Sequence, residues 1–186
     1  MRITVKPLAR YPWYLRPFFW NQKRRYGEVL APGLLWGRSP LLFVAVALLY
    51  GVLDRRRSPI DPILRSLVTV RVSQLNGCRF CVDINSATLA KRSGSMDKVL
   101  ALEHWRESKL FDARETVALE YAEAMTCTPL RVDDALMRRL AQHFGEDEVV
   151  ELTGLISFQN LSSRFNSALE VPAQGFCPLP RSAQPE

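Results

Sequence analysis

Along most of the chain after residue 39, apolar side chains recur every three to four positions, the period of a helix that buries one face. The longest apolar run, Leu41 to Leu53, is interrupted only by Gly51 and predicts a helix from about Pro40 to Leu53. At thirteen residues it is short for a membrane span, which needs about 20, so a buried core or subunit-interface helix is expected. Ser58-Pro59 and Asp61-Pro62 then punctuate the chain, with Asp61 placed to cap a helix that Pro62 opens. Leu64, Leu67, Val68, Arg71, Val72 and Leu75 suit a helical face, whereas Val68 to Val72 alone suit a strand. Nothing nearby would pair with such a strand, so residues 63–74 are read as helix.

Asn76-Gly77 marks a break, and the next helix runs from Cys78 to about Arg92, ending at Ser93-Gly94. Further helices are predicted over 96–107 with Ser95 as cap, over 112–127, over 132–143 and over 147–169. The third of these five carries Asp112 and Glu115 at capping-box spacing. The expected fold is all-α, an oligomeric helical bundle.

The flanks differ from this centre. Residues 1–38 are rich in aromatics, Arg and Pro, with Pro7, Pro12, Pro17 and Pro32 breaking any long helix. They are expected to wrap over a core rather than form one, with Trp13, Phe18, Phe19 and Trp20 as the wrapping side chains. The predicted organisation is a basic, aromatic extension with one apolar helix (1–58), a helical core (59–171) and an extended, Pro-rich tail (172–186). At 186 residues and 47% hydrophobic content, the chain can bury a sizeable core without disulfide staples.

Charge is uneven. Residues 1–60 carry 11 Arg/Lys against 2 Asp/Glu, and the remainder carries 14 against 17. A basic end attracts nucleic acid or anionic lipid, but no nucleic-acid-binding motif accompanies it, so neither partner is expected. Arg55-Arg56-Arg57 is read instead as complementing the dipole of the helix it follows. Four cysteines, at 78, 81, 127 and 177, do not make a secreted framework, and no secretory signal is visible, so a reducing, cytoplasmic setting is expected.

The chemistry centres on Cys78-Arg79-Phe80-Cys81. Cysteines three apart share a helical face and lie within disulfide reach. The preceding break puts them at a helix start, where exposed N–H groups and the dipole favour a thiolate. Arg79 adds positive charge, and Arg71 is a more distant candidate. Two other readings stand beside the redox one: a half-site for zinc and an inert pair in the core. Zinc wants four ligands, and His104 and His143 lack ligand spacing, so no metal and no cofactor is expected. Cys177 is a candidate third, resolving thiol or an ordinary packed cysteine. Asn160, Arg164, Phe165 and Asn166 form a polar–aromatic group that either lines a pocket or ties helices together.

The run from Arg71 to Asp83, RVSQLNGCRFCVD, resembles the core motif of the alkylhydroperoxidase D-like group of the carboxymuconolactone decarboxylase family. Ala101 to Phe111 and Glu115 to Thr126 are similar to that family as well, and the likeness spans roughly residues 60–170. It implies an oligomeric, all-helical fold with Cys78 and Cys81 catalytic in a cleft at a helix start. It implies peroxide reduction or a related thiol–disulfide reaction, fed by an external dithiol donor. The family pattern has a Glu twelve residues before the first cysteine and a His four residues after the second, where this chain has Ser66 and Asn85. Asn85 can hydrogen-bond but cannot serve as a general base. Ser66, Asn85, Arg79 and Asp83 are therefore the supporting candidates. Either another acid, such as Glu28, Asp83 or Glu170, reaches the pair, or the chain is a weakly active or non-catalytic scaffold that binds a small molecule.

Overall fold

The computed structural model describes residues 1–178; the last part of the predicted tail, 179–186, lies outside the described residues. Every regular element among them is helical: α1 (Arg16–Tyr26), α2 (Ala31–Trp36), α3 (Pro40–Leu53), α4 (Pro62–Leu75), α5 (Arg79–Ser93), α6 (Asp97–Ala101), α7 (Ala113–Thr126), α8 (Asp134–Ala141) and α9 (Glu146–Ala168). The ambiguous 63–74 segment is α4, and its packing explains the ambiguity. It lies at the centre of the bundle against α5, α7 and α9. Leu64, Val68 and Val72 enter one core with α7, α8 and α9, while Leu67 and Val70 enter a second with α5, α6 and Trp105. A helix buried nearly all round loses its polar stripe, and burial outweighs the mild helix penalty of its valines.

Local signals act where the sequence places them. Asp61 accepts hydrogen bonds from the Ile63 and Leu64 amides at 2.8 and 3.2 Å. The Asp112–Glu115 capping box is complete, at 2.8 and 3.1 Å. Ser95 accepts from the Asp97 amide at 2.9 Å. Gly94 ends α5 at φ +74°, a conformation that costs other residues. Arg55 donates to Val52 O at the end of α3, as its charge suggested, and also pairs with Glu151 of α9.

Three expectations change. The helix predicted over 96–107 is broken: α6 stops at Ala101 and a 3₁₀ segment, Leu102–Glu107, continues with His104 outside helical geometry. This break sets Trp105 into the core, where its Nε1 donates to Glu123 at 2.9 Å. The 132–143 helix is confined to α8, because Asp133 caps it by accepting from the Leu136 amide at 2.7 Å. Residues 1–38 do more than wrap. Pro17 and Pro32 open α1 and α2 rather than merely breaking helices, since a proline in the first turn removes no hydrogen bond. Tyr11, Leu15, Phe19 and Trp36 make a small core of their own with Phe43 of α3. Trp13 and Trp20, by contrast, stay exposed.

The apolar helix α3 is two-faced. Phe43 and Leu53 are buried, whereas Leu41 is 82% exposed and Leu48 and Val52 also face outward. Among the described residues, no helix is long and apolar enough to cross a membrane.

Candidate active site

The turn between α4 and α5 is held by side chains of α9. Gly77 takes φ +60°, which lets the chain reverse in two residues. The Asn76 side-chain amide donates to Asn160 Oδ1 at 2.9 Å and accepts from Arg164 Nε at 3.1 Å, and Ser167 Oγ donates to its carbonyl at 3.0 Å. The polar–aromatic group on the last helix is thus a clamp on this turn. Its aromatic member, Phe165, stacks on Trp36 with ring centres 3.5 Å apart.

Cys78 is the N-cap of α5, and Cys81 closes the first turn. The two are joined as a disulfide, with Cα atoms 5.2 Å apart. Cys78 Sγ accepts from the Cys81 amide at 3.2 Å, and Cys81 Sγ accepts from Asn166 Nδ2 of α9 at 3.2 Å. Asn166 was marked in the sequence only as part of a group. Its direct bond to a sulfur depends on how α9 crosses α5, which spacing along the chain does not reveal. Its Oδ1 is buried without a partner.

Both cysteines are buried, at 1% and 3% exposure, yet Cys81 lines a cavity of about 380 Å³. Five helices build it. Phe80, Ile84, Asn85 and Thr88 come from α5; Phe158, Gln159 and Ser162 from α9; Phe43, Val46, Ala47 and Tyr50 from α3. The remaining wall belongs to α1 and α2, including Phe18, Arg25, Tyr26 and Trp36. The N-terminal segment is therefore structurally part of the site region. Sequence reasoning missed this because an aromatic run with prolines carries no sign of which surface it covers.

The supporting candidates are placed as follows. Asn85 lines the cavity and donates to Ser73 Oγ at 3.2 Å. Ser73 also accepts from Gln159 Nε2 at 2.9 Å, so an uncharged network backs this wall. Ser66 is buried one hollow further in. Its Oγ donates to Pro62 O at 3.1 Å and accepts from Arg92 at 2.9 Å, and Arg92 pairs with Asp54 at 2.6 Å. Arg79 is exposed and bonds to neither sulfur; Arg71 is committed to Glu123 at 2.6 Å.

Asp83 is buried and faces the tail: its carboxylate accepts from the Gln174, Gly175 and Cys177 amides at 2.7–2.8 Å. The segment expected to be merely extended is thereby folded round Asp83, with Gly175 at φ +78°. Cys177 is buried there, and burial, with Asp83 adding to it, raises its thiol pKa above the ordinary value. Glu170 pairs with Arg2 at the surface, and Glu28 is exposed. None of Glu28, Asp83 and Glu170 lines the cavity, nor does His104 or His143. Among the described residues, no three His, Cys, Asp or Glu side chains gather as a metal site.

The likenesses to known proteins follow this geometry. The model of the "Carboxymuconolactone decarboxylase family" matches residues 40–124, from the start of α3 into α7, with both cysteines inside. It starts earlier and stops sooner than the 60–170 span of the resemblance. The chain is 54% identical over 176 residues to the uncharacterized protein YnjA of Escherichia coli K12, covering 95% of this chain and 97% of that one. In fold it is similar to an alkylhydroperoxidase AhpD core protein of Ralstonia eutropha JMP134, with a TM-score of 0.84 at 21% identity over 94% of this chain and 93% of the other. It is likewise similar to the debrominase Bmp8, with a TM-score of 0.83 at 23% identity over 98% and 95% of the two chains. The cysteine pair, the order of the helices and these likenesses agree: the chain belongs to the carboxymuconolactone decarboxylase family.

Proposed function

We propose that the chain is a thiol-dependent oxidoreductase that reduces organic hydroperoxides, with Cys78 and Cys81 cycling between dithiol and disulfide. One observation carries the reading: a cysteine pair on the opening turn of a 15-residue helix, with one member, Cys81, on an apolar cavity large enough for a small organic molecule. The helix terminus and the Asn166 amide both favour a thiolate on Cys81 in the reduced state.

The steps balance as follows. The Cys81 thiolate attacks the terminal oxygen of ROOH; the O–O bond breaks and the alkoxide leaves, taking a proton from water to become ROH. Cys81 is then a sulfenic acid. Cys78, as thiolate, attacks the Cys81 sulfur, forming the disulfide and expelling hydroxide. An external dithiol restores both thiols by exchange and is itself oxidised to a disulfide. With Asn85 and Ser66 in place of a His and a Glu, no imidazole or carboxylate among the described residues lines the cavity to speed proton transfer, so turnover is expected to be slow.

Trapping decides the order of attack. In reduced Cys78→Ser protein given cumene hydroperoxide, dimedone should label Cys81, and neither single Ser variant should sustain dithiol-fed turnover. Turnover equal to the parent in both variants would reduce the chain to a binding scaffold. A second reading draws on the fold shared with a debrominase. In it the same pair reduces a carbon–halogen bond, two thiols becoming a disulfide while C–Br becomes C–H and HBr leaves. The aromatic lining of the cavity supports it, and bromide release from a bromopyrrole distinguishes it from peroxide reduction.

A further inference from the structure

One end of the cavity is chemically unlike the rest. Among the described residues that line it, Arg25 is the single formal charge and none is a carboxylate. Arg25 makes no ion pair with any described residue, and its guanidinium lies 5.3 Å from the centre of the Tyr26 ring. Tyr50 of α3 lines the same cavity as Arg25 and Tyr26. The hydroxyls of Tyr11 and Tyr121 are bonded inside the protein, to Leu34 O and Thr153 Oγ1. Those of Tyr26 and Tyr50 have no partner among the described residues.

Tyr50 keeps about half its surface open at the mouth. Its surroundings are still dense enough that desolvation, ahead of Asp54 and Tyr26, pushes its pKa up to about 12, so it remains a hydrogen-bond donor. The carboxylate of Asp54 borders the adjoining hollow, and its charge is taken up by Arg92 at 2.6 Å and Arg65 at 3.6 Å. A guanidinium and two phenols on a mostly apolar chamber form a donor set with no hydrogen-bond acceptor bonded to it among the described residues.

We propose that Arg25, Tyr26 and Tyr50 form a carboxylate subsite, and that the cavity takes an apolar organic acid whose head group docks there while its body lies along the aromatic wall towards Cys81. The substrate class is then an amphipathic carboxylic acid bearing the oxidising group on its apolar part, an inference that rests on the redox reading above. It also gives one cation of the basic N-terminal segment a ligand-facing role.

Calorimetric titration of the full chain with decanoate and with decanol tests the subsite without any turnover. Decanoate should bind about tenfold more tightly, the worth of one good charge-assisted interaction. Arg25→Gln should abolish that preference and leave decanol binding unchanged. Tyr50→Phe should narrow it, and Lys23→Gln, an exposed cation of α1 outside the cavity lining, should not affect it. Equal binding of acid and alcohol by the parent, or a preference that survives Arg25→Gln, overturns the proposal.

The kinetic arm separates the two readings. A fatty-acid hydroperoxide should outcompete its methyl ester through KM, and the difference should vanish in Arg25→Gln. Turnover of both hydroperoxides without an acid preference rejects the subsite and keeps the peroxidase. Acid-selective binding with no turnover of any hydroperoxide rejects the peroxidase and keeps the subsite.

Discussion

Asn166 Nδ2 donates a hydrogen bond to Cys81 Sγ at 3.2 Å, joining the last long helix to the sulfur that lines the cavity. Hydrogen bonds to charged groups are worth about 1.5–3 kcal/mol, and one pKa unit is about 1.36 kcal/mol. Asn166→Ala should therefore raise the Cys81 thiol pKa of the reduced protein by about one unit or more. The check is the rate of iodoacetamide alkylation of Cys81 against pH in a Cys78→Ser background. An unmoved alkylation profile would deny Asn166 any role beyond packing.

The positions where the family carries His and Glu make unequal targets for restoring activity. Asn85 lies on the cavity wall, so Asn85→His introduces an imidazole near Cys81 that titrates around pH 6.5. Peroxide turnover at pH 7 should rise at least about tenfold, a part of the roughly 10²–10⁴-fold that a well-placed general acid–base supplies. Ser66→Glu should do nothing comparable. Ser66 is buried and already bonded to Arg92, so a carboxylate there pairs with Arg92 and overfills the space, costing about 1–3 kcal/mol. Steady-state rates and thermal melts of both variants check this. A gain from Ser66→Glu alone would show that Arg92 does not hold that position.

Asp83 sits two residues beyond the pair but works on the other side of it. Asp83→Asn weakens three amide bonds that fasten residues 174–177. The expected loss is about 2–3 kcal/mol in urea unfolding. Cys177 should also alkylate faster, since burial and Asp83 hold its pKa above the ordinary thiol value. Peptide mapping after timed alkylation reads this; an unchanged Cys177 rate would mean that the tail is fastened elsewhere.

Glu123 links α7 to α4 and to the 3₁₀ segment. Desolvation works against its charge, but hydrogen bonds from Arg106, Trp105 and Arg71 prevail, and its pKa is held below the ordinary glutamate value. A depressed carboxylate contributes stability that is fully present above the unfolded value of about 4.3 and lost as pH falls through the lower folded value. Glu123→Gln should be less stable than the parent at pH 7, and the gap should narrow on acidification below about pH 4. Denaturant titrations at pH 7, 5 and 3 measure it; a gap independent of pH would assign the loss to packing rather than charge.

Much of the architecture could be read before the structure. Asp61-Pro62, Asn76-Gly77, Ser93-Gly94 and Asp112 with Glu115 each act within three or four residues, so their effects are written in local order. The break at His104 was not readable, because it arises from seating Trp105 against Glu123, a partner 18 residues away. Asp83 was singled out beside the motif, but its partners lie more than 90 residues on, in the tail.

The sequence by itself determined that this chain is helical and that two cysteines share one helical turn, because periodicity, caps and i,i+3 spacing are local properties of the backbone. Only the tertiary structure decided what surrounds those sulfurs: Asn166 on Cys81, Arg92 on Ser66, and α1 and α2 closing a cavity that Arg25 lines. Those relations join residues tens of positions apart, and which side chains meet across packed helices is set by how the helices cross, a property that no short stretch of sequence encodes.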